Sequence, residues 1–155
     1  MQRIRNFFDD LNNWGIFFQN FLLLAIRLFW GYGFFLSGYG KLINIDSTTS
    51  FFSSLGFPFP QFSAYLAGSI ECIGGALLLI GLLSRLSSLF LMATMIVAYL
   101  TAHFASVRNL LEDPQNFFDQ APFLFLYAAV IVFCFGPGKI SLDALIERLF
   151  SRKSD

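Results

Sequence analysis

Four runs of this chain stay apolar for at least 18 residues, and they limit its fold more than any other feature. Residues 17–39 contain one charge, Arg27, and residues 62–83 contain one, Glu71. Residues 86–104 have no formal charge and end beside the lone histidine, His103, while residues 121–138 have none. A helix rising 1.5 Å per residue needs about 20 such residues to cross roughly 30 Å of hydrocarbon. No alternation of period two runs through the segments, so membrane strands are a poor alternative. The composition agrees: 56% of the 155 residues are hydrophobic, 22 are Phe and 13% are charged, against roughly 25% charge in soluble domains. These values exclude a disordered tail and a secreted disulfide scaffold. Ten basic against ten acidic residues leave no surplus for nucleic acid. The expected fold is an all-α membrane protein, one integral domain over residues 1–155, built as a four-transmembrane-helix bundle.

The distribution of Lys and Arg predicts the orientation. Arg3, Arg5, Arg85, Lys139, Arg148, Arg152 and Lys153 fall on one side, and only Lys41 and Arg108 on the other. Both termini are therefore expected in the cytoplasm, with the two longer loops outside. The first apolar run is too long and starts too late for a cleavable signal peptide. In the first outer loop, Phe51, Phe52 and Leu55 have helical spacing before Gly56, Pro58 and Pro60, which predicts a short interfacial helix. After Gly136-Pro137-Gly138, Ser141 is placed to cap an amphipathic helix with Leu142, Leu145, Ile146 and Leu149 on one stripe. Arg148, Arg152 and Lys153 would then face anionic headgroups.

Charges inside hydrocarbon call for partners, since each costs at least about 2.5 kcal/mol at the bilayer centre. Counted from the cytoplasmic ends of their runs, Arg27 lies about 15 Å deep and Glu71 about 18 Å. Arg27, Gly31, Phe34, Gly38 and Lys41 share a helix face, as do Ala64, Ala67, Gly68, Glu71, Gly75 and Leu78. Small residues on both faces allow close approach, so Arg27 and Glu71 are expected to form an internal ion pair. That pair is compatible with a structural clasp and with the polar floor of a pocket. Lys41 and His103 close their runs on the outer side, nearer the mouth of such a pocket. One His without grouped carboxylates cannot supply a metal site. Cys72 and Cys134 differ in depth by roughly 10 Å along the helices, too far for a disulfide.

The ordered series RLFWGYGFFLSGYGKL, FFSSLGFPFP, IECIGGALLLIGLLSR, TAHF and GPGKISLD, spanning residues 25–143, resembles the DoxX family of small bacterial four-helix membrane proteins. Its motif positions match at Arg27, Gly31, Gly38, Lys41, Glu71, Gly74, Gly75, Gly81, Arg85, His103 and Asp143. The resemblance implies the bacterial inner membrane and a relationship to the membrane subunit of a thiosulfate:quinone oxidoreductase. A quinone is thus the implied ligand, with Arg27, Glu71, Lys41 and His103 as the residues expected to bind it. The chain has no haem-ligand pair, flavin motif or iron–sulfur cysteines, so any electrons would pass through a bound quinone or a redox partner protein. Three functions follow: a quinone- or lipid-binding membrane subunit, a quinone-coupled oxidoreductase subunit in which Glu71 or His103 moves the proton, and a scaffold recruiting a soluble partner through residues 141–152.

Overall fold

The computed structural model describes residues 2–151. Arg152 and Lys153, and the side chains of Arg3 and Arg5, lie outside what is described. The described chain is entirely helical: α1 (Gln2–Ile43), α2 (Ile45–Ser54), α3 (Pro60–Ile80), α4 (Ser84–Thr101), α5 (Phe104–Arg108), α6 (Pro114–Phe118), α7 (Ala121–Phe135) and α8 (Leu142–Ser151). Three helical stretches, Leu11–Ile43, Pro60–Ile80 and Ser84–Thr101, are long and apolar enough to cross a membrane; α7 is equally apolar but shorter, at 15 residues.

The boundaries follow local chemistry. No proline interrupts residues 2–43, so α1 runs through the polar N-terminal segment as one helix of 42 residues, about 63 Å long, and not as a span over 17–39. The last apolar run stops at Phe135, three residues before the end of its sequence pattern, because Gly136 and Gly138 both take φ +77° and Pro137 has no amide hydrogen. Helix α2 forms where expected and is followed by Gly56 at φ +81°. Ser141 caps α8, accepting from the Ala144 amide at 3.1 Å.

Helix α1 packs on α3, α3 on α4, α4 on α7, and α7 returns to α1, while α2 lies against α3. The centre is filled by Phe34, Leu78, Leu91, Met95, Ala129 and Val132. Large apolar side chains such as Phe29, Phe62, Ile73 and Tyr127 face outward and exposed, an arrangement suited to lipid and unfavourable in water. The tightest seam is α1 on α3. Gly31 faces Gly75 and Leu79, whereas Gly38 faces Gly68 and Cys72.

That register fixes what can meet. Continued along two antiparallel helices, it places Ser37 across from Glu71 and Gly81 across from Arg27. A side-chain carbon on Gly38 would collide with the backbone of Cys72 and Gly68, while one on Gly15 would meet nothing within 4 Å. Gly38→Ala is expected to lower stability by about 1–3 kcal/mol. Gly15→Ala should be neutral or stabilising by up to about 1 kcal/mol. Thermal unfolding of both variants in one detergent checks the pair.

Candidate functional site

Arg27 is 1% exposed, yet it does not meet Glu71. Its guanidinium donates to four backbone carbonyls: Nε to Leu78 at 3.1 Å, Nη2 to Leu79 at 3.3 Å, and Nη1 to Pro137 at 2.5 Å and Ile140 at 2.8 Å. The expected Arg27–Glu71 pair is therefore corrected. Glu71 sits across from Ser37, ten residues further along α1, or about 15 Å away at helical rise. Depths counted from the ends of apolar runs misled because α1 continues well past the end of α3. Measured against α3, Arg27 lies at the helix terminus and not at mid-span.

Arg27 instead belongs to a junction that closes this end of the bundle. Helix α3 ends on Gly81 at φ +71°, with Leu82 N donating to Leu77 O (3.0 Å) and Gly81 N to Leu78 O (3.2 Å), the paired hydrogen bonds of a Schellman motif. A helix C-terminus carries partial negative charge that favours a cation, and the Asp143 carboxylate adds its attraction for the Arg27 guanidinium. From α8, the Asp143 amide donates to Gly81 O at 2.9 Å, and the Asp143 carboxylate accepts from the amides of Leu83 (2.8 Å) and Ser84 (2.9 Å). Asp143 thus caps the start of α4 from sixty residues away, where Leu83 itself holds φ +49°. Asn20 accepts from the Lys139 amide at 2.8 Å and ties the same segment to α1. Asp143→Ala is expected to cost about 1–2 kcal/mol through the lost cap, read as a lower melting temperature.

The opposite end of the bundle holds the partner of Glu71. Lys41, one turn beyond Ser37 on α1, forms an ion pair with Glu71 Oε2. The same Lys41 Nζ donates to Ser37 Oγ (2.8 Å), and Ser37 Oγ donates to Glu71 Oε2 (2.8 Å), closing a three-membered polar cluster. Glu71 is buried at 3%, and the Lys41 side chain is 28% exposed. Among the described residues, Glu71 Oε1 accepts no hydrogen bond and Lys41 uses two of its three ammonium protons. The cluster therefore retains one acceptor and one donor.

These groups line a cavity of about 540 Å³ between α1, α2, α3, α4 and α7. Its walls include Phe34, Phe51, Phe52, Phe57 and Phe125, and His103 stands in the lining with its ring centroid 6.1 Å from that of Tyr99. Phe52 and Phe57 stack at 4.9 Å, so the outer-loop helix α2 supplies one aromatic wall. Three of the four residues expected to share a site, Lys41, Glu71 and His103, line this one cavity, and Arg27 does not. Sequence reasoning missed Ser37. Its signal was present in the i, i+4 spacing to Lys41 on the face that also carries Phe34. Among the described residues, no group of three metal-ligating side chains occurs.

The DoxX family profile matches residues 22–104, just over half of the chain, with all of the polar cluster and most of the cavity lining. The chain belongs to the DoxX family. It is 31% identical over 127 residues to "Inner membrane protein YphA" of Escherichia coli, covering 79% of this chain and 88% of that protein. It is 30% identical over 136 residues to an uncharacterized protein of Haemophilus influenzae, covering 85% and 87% of the two chains. Identity rises to 37% over 78 residues with "Putative oxidoreductase CatD" of Bacillus subtilis, where the match spans 50% of this chain and 57% of the relative. No solved structure matches the chain. As a DoxX protein it is a membrane protein with several apolar helices, and both Lys41 and Glu71 fall within the matched region.

Proposed function

We propose that this DoxX protein is a single-domain bacterial inner-membrane protein whose cavity binds a lipophilic ring compound of the quinone class. In this reading α7 serves as a fourth span, both termini face the cytoplasm, and α2 and α8 lie at the two interfaces. The observation that supports it is the composition of the cavity. Aromatic and aliphatic walls surround a half-buried Lys41–Ser37–Glu71 cluster with one donor and one acceptor unspent. A ligand site of this kind has an apolar enclosure and a few convergent polar groups. A quinone carbonyl would accept from Lys41, a quinol hydroxyl would donate to Glu71 Oε1, and the flat ring would lie among Phe52, Phe57 and Phe125.

The oxidoreductase name of the Bacillus subtilis relative favours a second reading, in which the bound quinone is reduced in place. Two electrons would come from a redox partner protein and two protons through Glu71 or His103, yielding the quinol. Arg27 has no part in either reading.

Mass spectrometry of organic extracts from the purified protein tests the first reading. A quinone is expected to copurify with the wild type and to fall by about tenfold or more in Glu71→Gln, the effect of losing one charged hydrogen-bond partner in a dry site. Equal quinone in both proteins, or none in the wild type purified from quinone-replete membranes, overturns it. If quinol oxidation or quinone reduction also stops in Glu71→Gln membranes, the second reading gains; binding lost without any such activity in the wild type excludes it.

A further inference from the structure

The opposite end of the bundle holds a second cavity, of about 760 Å³, between the N-terminal part of α1, the start of α4 and the segment joining α7 to α8. Its lining is polar in a particular way. Arg85, Lys139 and Glu147 all border it, and none of their charged groups has a side-chain or backbone partner among the described residues. Arg85 lies over Gly136: a side-chain carbon there would sit 3.5 Å from its Nε and Nη2. Ser84, in the same lining, is fully buried, and its hydroxyl is the one buried side-chain polar atom without a hydrogen bond among the described residues. Asp143 also borders the cavity, but its carboxylate is committed to the Leu83 and Ser84 amides.

We infer that this cavity is a phospholipid headgroup site that selects an amine-bearing phosphodiester, of the phosphatidylethanolamine type. Two unpaired cations, with the orphaned Ser84 hydroxyl beside them, suit a phosphate, since a guanidinium forms charge-assisted hydrogen bonds to phosphate oxygens. Two cations alone would favour any anionic lipid. The unpaired Glu147 changes that balance, because it repels a second negative charge and offers an acceptor to a headgroup ammonium. Leu86 and Phe135, both exposed in the same lining, provide the apolar rim where acyl chains would begin. The place also fits: the cavity opens where α3 ends and α4 begins, at the margin of the apolar segments.

The test is native mass spectrometry of the full-length protein released from nanodiscs holding equal phosphatidylethanolamine and phosphatidylglycerol. The wild type is expected to retain phosphatidylethanolamine in preference. Arg85→Gln should lower retained phospholipid about tenfold, the effect of one charge-assisted contact, and Glu147→Gln should erase the preference for the amine. Lys139→Gln, in an exposed segment, gives an independent reading if Arg85→Gln fails to fold. Wild-type retention in both cation variants, or preference for phosphatidylglycerol, overturns the assignment. So does tight binding of soluble glycerophosphoethanolamine in a detergent free of phospholipid, which would make the free phosphodiester and not a lipid the ligand.

Discussion

Arg27→Met is expected to destabilise the protein by about 3–5 kcal/mol, the loss of several hydrogen bonds from one charged donor, each worth about 1.5–3 kcal/mol before relaxation. The change also removes the guanidinium charge from the neighbourhood of the Asp143 carboxylate. It takes the charged donor from the half-buried carbonyls of Leu79, Pro137 and Ile140, and leaves the buried Leu78 carbonyl with the Gly81 amide alone. Arg27→Lys should rescue little, because an ammonium is a compact point donor and cannot reach four carbonyls spread over two segments. Unfolding by a denaturing detergent titration, with helicity as the signal, measures both variants. Full stability in Arg27→Met would show that the guanidinium is not what holds the end of α3 to the α7–α8 segment.

The second large effect is a pattern of couplings. Lys41→Met leaves Glu71 buried and unpaired, and is expected to cost about 3 kcal/mol or more. Removing Glu71 as well, in Lys41→Met/Glu71→Leu, should recover much of that loss, since a matched apolar pair leaves no unpaired charge. The coupling energy should reach about 1–3 kcal/mol, as for residues in direct contact. Arg27 and Glu71 share no hydrogen-bond partner among the described residues and lie about 15 Å apart along the α1–α3 seam, so their changes should add to within about 0.5 kcal/mol. The two cycles in one background distinguish the observed pairing from the one that apolar run lengths suggest. Strong coupling between Arg27 and Glu71 would contradict the register set by Gly31 and Gly38.

Much of the architecture was legible in the sequence because helices in a membrane are read from run length and punctuation. Gly81, the Gly136-Pro137-Gly138 stop and the Ser141 cap mark chain turns by their own conformational chemistry. The small-residue faces around Gly31, Gly38, Gly68 and Gly75 announced the close α1–α3 seam. What could not be read was the offset between the two helices. A hydropathy pattern gives each helix a length but no common origin, and a polar segment such as Asn12-Asn13 does not stop a helix that contains no proline. The depths assigned to Arg27 and Glu71 therefore agreed only on paper. Once the offset is fixed, Glu71 pairs with Lys41, four residues from a serine that sequence reasoning passed over. Asp143 was noticed through family resemblance alone, because its role depends on α8 folding back to the start of α4. Nothing local in its sequence signals a contact sixty residues away.

In the proposed function, the space between Phe52, Phe57, Phe125 and the Lys41–Glu71 pair receives a flat lipophilic ring. Photoaffinity labelling with an azido-quinone in native membranes, followed by peptide mapping, would locate that ring. Label concentrated on Phe51–Phe57, Phe125 and the His103 region, and competed away by unlabelled quinone, is the predicted result. Label spread over outward-facing positions such as Phe29, Phe62 and Ile73, with no competition, would contradict it.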